Sequence, residues 1–368
     1  MKLLFVSGNL TDGGAQRVIS VAASALAGKG HDVSVLVFAR NEKEYPLSDK
    51  VKLVSLADSF EDYSAMSHIK RIKLIRRHLK EFGPDVAVGF MEGGYALYFA
   101  AAGMKLKRVS SARIDPEKIF GNKSIRGAVD RRWFYASDAV VLQVQSQLDR
   151  VPEKLKKKSV VIPNPVSERA TGEDGFRYNE KCRHFVMAGR MSPQKNYAMM
   201  LSAAAKLKDR YPGLRVDVFG KGRELEALEA RKNASGLEGT VFFRGWTTDT
   251  VGEYLDADAY ILSSNYEGMP NALAEAMAIG MPVISTDCPT GPGDMIEDGV
   301  NGFLIPVGDA DALADRMERY MNMTADERAA IGTAARRTVL ENYTAGNIAD
   351  KWEKLFAELT CGKERCKQ

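Results

Sequence analysis

The sequence predicts an α/β protein built from two doubly wound, parallel-sheet domains. Three observations predict it. Short apolar runs alternate with longer segments of helical period, as in a parallel sheet with helices on both faces. The alternation restarts midway. The chain has 368 residues, long for one hydrophobic core and sufficient for two.

The first series of strands is read at Leu3–Ser7, Val33–Phe38, Lys52–Leu56, Asp85–Phe90, Arg108–Ser111, Ala139–Val144 and Val160–Pro163. The runs at Val33, Val86 and Ala139 are valine-rich and continuous, which suits strands buried on both faces. Helices are expected at Ala15–Gly28 and Met66–Phe82 between them. The second series is Phe185–Gly189, Arg215–Phe219, Val241–Arg244, Ala259–Ser263, Val283–Thr286 and Phe303–Pro306. Its helices are expected at Met199–Asp209, Glu224–Ala234, Asn271–Ile279 and Ala310–Met321. The polar stretch Asn164–Lys181, with Pro165 and Gly172, reads as a linker. The expected domains are therefore residues 1–164 and 182–344. A last helix, Ala345–Leu359, carries Trp352, Leu355 and Phe356 on one face. Its period fits equally a brace on the first domain and a cap on the second. Two such sheets are expected to face a cleft, with ligands at the C-terminal ends of the strands.

Composition narrows the class. Apolar residues are 45% and charged residues 27%, as in a soluble globular protein. A net charge of +4 does not point to nucleic acid. The apolar burst at Met1–Val6 ends at Ser7-Gly8-Asn9, too soon for a secretory signal. No run approaches the ~18 apolar residues of a membrane span. Four scattered cysteines, Cys182, Cys288, Cys361 and Cys366, suggest a reducing cytoplasm, and the last two read as part of an unstructured tail.

Three segments carry candidate chemistry. Thr11-Asp12-Gly13-Gly14-Ala15 follows the first strand and opens a helix, where glycines let a ligand approach and the helix start favours an anion. It is neither the dinucleotide fingerprint nor a Walker A loop, and a plain turn fits it nearly as well. Arg190 and Lys195 lie five residues apart on the loop after Phe185–Gly189. A fork and a point charge there suit a diphosphate; ordinary surface charge is the alternative. Glu267-Gly268-Met269-Pro270-Asn271-Ala272-Leu273, leading to Glu275, follows Ala259–Ser263. Pro270 suits the first helical position, and the N–H groups of Asn271 to Leu273 then face phosphate or sugar oxygens. Glu267 and Glu275 can each accept hydrogen bonds from hydroxyls. Equally, Glu275 reads as an exposed helix residue and Glu267 as a charge favoured by the helix dipole.

On these residues the whole chain resembles the retaining GT-B glycosyltransferases of family 4, whose domains are Rossmann-like. The resemblance rests on Gly13-Gly14-Ala15, Gly189-Arg190 with Lys195-Asn196, and Glu267-Gly268-Met269-Pro270 leading to Glu275. Gly280-Met281-Pro282-Val283-Ile284 and Asp298-Gly299-Val300-Asn301-Gly302-Phe303 extend it. It implies that Arg190 and Lys195 hold a donor diphosphate and stabilise the leaving group without a metal. It also implies that Glu267 meets the donor sugar, that Glu275 meets the ribose, and that Gly14 lets the first domain close on the phosphates. The implied activity is retaining transfer of a hexose or N-acetylhexosamine, most commonly from a UDP-sugar co-substrate, with no cofactor. The implied acceptor is a glycan or a polyprenyl-diphosphate-linked saccharide. Relatives carry a histidine near the sugar where this chain reads Ser111-Ala112-Arg113-Ile114-Asp115-Pro116. Arg113 and Asp115 are therefore candidate first-domain contacts; Asp115 can instead cap a turn before Pro116.

Glu92-Gly93-Gly94-Tyr95 follows another strand, and Glu92 is an acceptor-side candidate; a tight turn is the plain reading. Ile69–Lys80 reads as a basic amphipathic helix, with Ile69, Ile72 and Leu79 on its apolar stripe. Its cations include Lys73, Arg76 and Arg77. A solvated surface is the ordinary reading, and contact with anionic lipid or an acceptor pyrophosphate is the sharper one, giving peripheral membrane association.

Other functions fit less well. A nucleotide-sugar epimerase of the same fold needs a catalytic histidine, and His31, His68, His78 and His184 lie outside the glycine-loop motifs. A phosphorylase needs a longer chain, and a dehydrogenase needs the missing fingerprint. A non-catalytic sugar-nucleotide-binding partner that has kept the fold is the remaining alternative, and the presence of Arg190, Lys195, Glu267 and Glu275 argues against decay to one.

Overall fold

In the computed structural model every residue is described except 12, 42–43, 91, 173–175, 248 and 362–368, and the side chains of Glu92 and Arg126. Asp12 and Cys366 therefore lie outside the described residues. The chain divides into two compact units, Met1–Pro165 with Ala345–Gln368, and Val166–Thr344.

Unit 1 holds strands β1 (Lys2–Ser7), β2 (Asp32–Ala39), β3 (Val51–Ala57), β4 (Val86–Phe90), β5 (Lys107–Ser111), β6 (Ala139–Leu142) and β7 (Ser159–Val161). They form one parallel sheet in the order β3-β2-β1-β4-β5-β6-β7. The order reverses between β1 and β4, where a doubly wound sheet places ligands. Both faces are covered, which explains the unbroken apolar runs. Leu3, Phe5, Val35 and Val88 face the helices Gly14–Gly28 and Ala345–Thr360. Leu4, Val6, Leu36 and Val140 face the other way, towards His68–Phe82, Glu92–Ala100 and Ile125–Ala136. The last helix belongs to unit 1. Its Trp352 is fully buried, edge-on to Phe5 at 6.2 Å between ring centres.

Unit 2 holds β8 (His184–Ala188), β9 (Arg215–Phe219), β10 (Val241–Gly245), β11 (Ala259–Leu262), β12 (Val283–Thr286) and β13 (Phe303–Ile305). They are parallel in the order β10-β9-β8-β11-β12-β13. Phe185, Met187, Val216, Val218, Ile261 and Ile284 line its core.

Several elements differ from the expectation. The helix expected at Met66–Phe82 starts two residues later, at His68, and a separate helix precedes it. A short one, Phe60–Ala65, ends at Met66, whose backbone is extended. Ser67 then caps His68–Phe82 by accepting from the Lys70 N–H, and Gly83 closes it in the left-handed conformation. Ile69 is 68% exposed, so the buried stripe is Ile75, Leu79 and Phe82. Arg76 is not a solvated cation. Its Nη1 donates to the carbonyls of Ala100 and Ala102 at 2.8 and 2.7 Å, closing the end of the neighbouring Glu92–Ala100 helix. Lys73 and Arg77 are exposed, and Arg77 reaches Glu81 at 3.8 Å.

Glu92-Gly93-Gly94-Tyr95 is the start of a helix rather than a turn. The glycines serve close packing. A Cβ on Gly93 would lie 2.0 Å from the Val6 carbonyl oxygen, and one on Gly94 would lie 2.4 Å from Nε1 of Trp133. The strand expected to run to Val144 stops at Leu142, where the Gln143 N–H donates to the side chain of Gln147. The stretch taken for a linker is largely part of unit 2. Glu168–Thr171 is a short helix capped by Ser167, and Tyr178 donates to the Gly280 carbonyl at 2.8 Å.

Trp352→Ala deletes the largest fully buried side chain. It is expected to lower the stability of unit 1 by about 3–5 kcal/mol, read from its urea unfolding transition.

Candidate active site

The charged motifs of unit 2 meet at the C-terminal ends of its strands. After β8 the chain turns through Gly189 to Asn196 and enters the helix Tyr197–Leu207. After β11 it turns through Ser263 to Pro270 and enters Asn271–Ala278. These two turns are joined. Ser263 Oγ donates to the Lys195 carbonyl at 2.8 Å, the Asn265 N–H donates to the Gln194 carbonyl at 2.8 Å, and Asn196 Nδ2 donates to Asn265 Oδ1 at 3.0 Å. Asn196, at φ 46°, takes the left-handed conformation that asparagine tolerates.

Glu267 lies at the centre and is buried. Lys195 Nζ donates to its Oε1 at 2.7 Å, and Ser264 Oγ donates to the same oxygen at 2.6 Å. Gln194 Nε2 donates to Oε2 at 3.3 Å. A buried carboxylate is costly unless it is paired and hydrogen-bonded, and here both turns supply its partners. The Thr290 hydroxyl donates to the Glu267 carbonyl, and Gly291 packs beneath: a Cβ there would sit 2.5 Å from the Gly268 carbonyl oxygen.

Arg190 is exposed and has no hydrogen bond or ion pair with a described residue. Glu275 is buried, not exposed, and accepts from Thr250 Oγ1 at 3.1 Å. The helix starts at Asn271 as expected, with Pro270 at the capping position rather than the first helical one. Pro270 supplies no side-chain cap at this helix start. Gly268, Met269 and Pro270 are buried, Asn271 and Ala272 half-buried, and the Leu273 side chain is in the core.

Three features beneath the site escape a reading by charge. Gly220 and Gly222 flank Lys221 just after β9. A Cβ on Gly220 would lie 1.9 Å from the Gly189 carbonyl oxygen, and one on Gly222 would lie 2.2 Å from that of Met191. Their signal was a Gly-x-Gly directly after a strand. The Tyr197 hydroxyl donates to the Gly189 carbonyl at 3.1 Å, and burial pushes its pKa up, so it stays a neutral brace. Burial, then the charge of Glu267, pushes the Cys288 thiol up to about 12, which leaves it protonated and unsuited to nucleophilic work.

The first-unit candidates are placed separately. Gly13 stands at the cap of the Gly14–Gly28 helix, and Gly14 opens it. Asp115 caps Pro116–Phe120 by accepting from the Glu117 N–H, and it receives Arg150 Nε at 2.9 Å. Its carboxylate thus holds the fold together. Arg113 is buried after β5.

The profile of the family described as Glycosyl transferases group 1 matches residues 173–338, and that of Glycosyltransferase Family 4 matches residues 12–169. The chain is a glycosyltransferase of the GT-B fold. A relative of this glycosyltransferase in Campylobacter jejuni is a GalNAc-alpha-(1->4)-GalNAc-alpha-(1->3)-diNAcBac-PP-undecaprenol alpha-1,4-N-acetyl-D-galactosaminyltransferase. The two are 28% identical over 98% of this chain and 99% of the relative. Among solved structures, TarM of S. aureus, held with UDP and alpha-GlcNAc-glycerol, superposes with a TM-score of 0.79 at 15% identity over 96% of this chain and 99% of that one. HepE of Anabaena, held with UDP and glucose, gives 0.78 at 16% identity over 97% and 99%. No helix among the described residues is long and apolar enough to cross a membrane.

Gly222→Ala forces the turn carrying Arg190 and Lys195 to move. Nucleotide affinity, measured by calorimetry, is expected to fall about 10–100-fold. Unchanged affinity would separate this backbone contact from the site.

Proposed function

We propose that this glycosyltransferase moves a hexose or N-acetylhexosamine from a UDP-sugar, with retention of anomeric configuration, to a glycan or polyprenyl-diphosphate-linked saccharide. The observation that carries the reading is the Lys195–Glu267 pair, which joins the turn of the exposed Arg190 to the turn that leads into the helix start at Asn271. In this reading Arg190 and Lys195 hold the diphosphate. They neutralise the charge that develops on it as the sugar–phosphate bond breaks, which is why the reading needs no metal. Helix N–H groups take further phosphate oxygens. Glu267, held by Lys195 and Ser264, presents its remaining acceptor capacity to sugar hydroxyls. Glu275 takes the ribose hydroxyls in the same way.

The preference for uridine is supported by the UDP held in the TarM and HepE structures, and the acceptor class by the undecaprenol-linked substrate of the Campylobacter relative. Retention follows when the acceptor attacks on the face the diphosphate leaves, with a phosphate oxygen taking the acceptor's proton.

Thermal-shift measurements with UDP, GDP and ADP test the donor, and UDP is expected to stabilise most. Lys195→Ala and Glu275→Ala are each expected to remove that stabilisation; retention in both would refute the site. Arg190→Ala is expected to lower kcat by about 10²–10³-fold. Turnover is expected to survive EDTA, and the anomeric coupling of the product, read by NMR, is expected to match that of the donor.

A further inference from the structure

The helices on the two faces of the unit 1 sheet differ in what they show to solvent. Gly14–Gly28 and Ala345–Thr360 cover one face, and neither exposes a large apolar side chain. Their charges are mixed and paired. Lys29, at the end of the first, reaches Asp350 at 2.6 Å and Glu353 at 2.9 Å. His68–Phe82, Glu92–Ala100 and Ile125–Ala136 cover the other face, packed side by side in that order. They expose four large apolar residues. Ile69 and Ile125 are 68% and 87% exposed, and Phe99 and Tyr135 are 38% and 45% exposed. Single exposed apolar residues need no explanation, but their concentration on one layer does.

Helical spacing sets these residues on outward lines. Lys70, Lys73, Arg77 and Lys80 follow at steps of three or four, with Ile69 at their head, and all are exposed. Ile125, Val129, Arg132 and Tyr135 follow the same steps on the third helix. On the middle helix Phe99 stands 5.4 Å from Tyr95 and 5.0 Å from Tyr98 between ring centres. No charged residue occurs from Gly93 to Met104. An uncharged aromatic centre is therefore flanked by cations on both sides.

The charge of this layer is one-sided. His68–Phe82 carries six cations and one carboxylate. Arg71 and Arg76 are taken up by backbone carbonyls, those of Tyr63 and Ser64 and those of Ala100 and Ala102. The ammonium groups of Lys70, Lys73 and Lys80 have no partner among the described residues. The apolar stripe of the same helix, Ile75, Leu79 and Phe82, faces the sheet. It is not available to lipid, so lipid contact falls to the outward lines of all three helices.

Cations beside aromatic and aliphatic side chains match the boundary of a bilayer, where anionic headgroups overlie acyl chains. A second copy of the chain fits worse, because a symmetric contact would set one cationic face against another. We propose that the outer face of these three helices docks on the surface of an anionic lipid bilayer. Ile69, Phe99 and Ile125 enter the headgroup layer, and Lys70, Lys73 and Arg132 meet lipid phosphates. This docking rests on the face alone and not on the transfer reading above.

Co-sedimentation of the full-length protein with vesicles tests it, using phosphatidylcholine alone and phosphatidylcholine mixed with phosphatidylglycerol. Binding to the mixed vesicles is expected to be about tenfold or more stronger, and to weaken as salt rises. Lys70→Glu with Lys73→Glu is expected to lower the partition coefficient about 10–100-fold. Lys351→Glu with Lys354→Glu alters two exposed residues of the opposite layer and makes the same change in net charge. Binding there is expected to hold within about threefold at physiological salt. Phe99→Ser with Ile125→Ser keeps every charge and is expected to weaken binding about tenfold with Tm unchanged. Ile125→Ser alone, at the most exposed position, serves if the pair lowers Tm. Absence of binding to the mixed vesicles would overturn the proposal. So would an equal loss in the two lysine pairs, since net charge alone would then account for binding. Unchanged binding in the serine variants would also overturn it, because no apolar residue would then enter the headgroup layer. A dimer in sedimentation velocity that Ile125→Ser disperses would assign the face to a second copy and overturn it likewise. A UDP thermal shift absent from the natural protein would instead remove the transfer reading and leave the docking face standing.

Discussion

The buried carboxylate of Glu267 is the constraint around which the second unit's working end is organised. A carboxylate with so little exposure must be matched by donors, and the chain brings them from both of its neighbouring turns. Lys195 and Gln194 come from the turn after β8, and Ser264 from the turn after β11. Satisfying one charge therefore fixes the position of two loops. The glycines beneath follow from the same need. Gly220, Gly222 and Gly291 admit backbone where any side chain would push the turns apart. The pair is better read as a positioning device than as a source of stability, because a buried ion pair rarely outperforms apolar packing.

Most of the architecture was legible from periodicity. Strands whose two faces are both covered leave continuous valine-rich runs, and Val33–Phe38 and Val86–Phe90 show this in the sequence. What periodicity could not settle was allegiance. Trp352, Leu355 and Phe356 mark an apolar face, but nothing local to the helix says which sheet receives it; the burial of Trp352 against Phe5 decides that. The stretch around Tyr178 was misread for the opposite reason. It is polar in composition, yet its tie to the Gly280 carbonyl is a long-range contact that no local pattern records.

The site was legible where charge marked it and opaque where backbone did. Arg190, Lys195, Glu267 and Glu275 are conspicuous after strands. Gly222 and Gly291 are not, because the reason for a glycine is the atom it would otherwise strike. Charge also misled. Arg76 looked like one of a row of solvated cations, but it closes the end of a neighbouring helix by donating to the carbonyls of Ala100 and Ala102. Asp115 looked available beside Arg113 and is instead taken up by Arg150 and by a helix cap. Sequence shows which residues are charged; only packing shows which charges are already answered.

That distinction separates the two buried ionic groups of the molecule most relevant to ligands. Glu267 is answered from within, by a lysine and a hydroxyl, so its surroundings are built in advance of any substrate. Among the described residues Arg113 is answered only by one amide oxygen and the face of one ring, and its Nε and Nη2 are enclosed without a partner. Selection for stability alone would replace such an arginine with an apolar residue or supply it with a carboxylate. The Ser111 hydroxyl on the same strand end is likewise enclosed without a described partner.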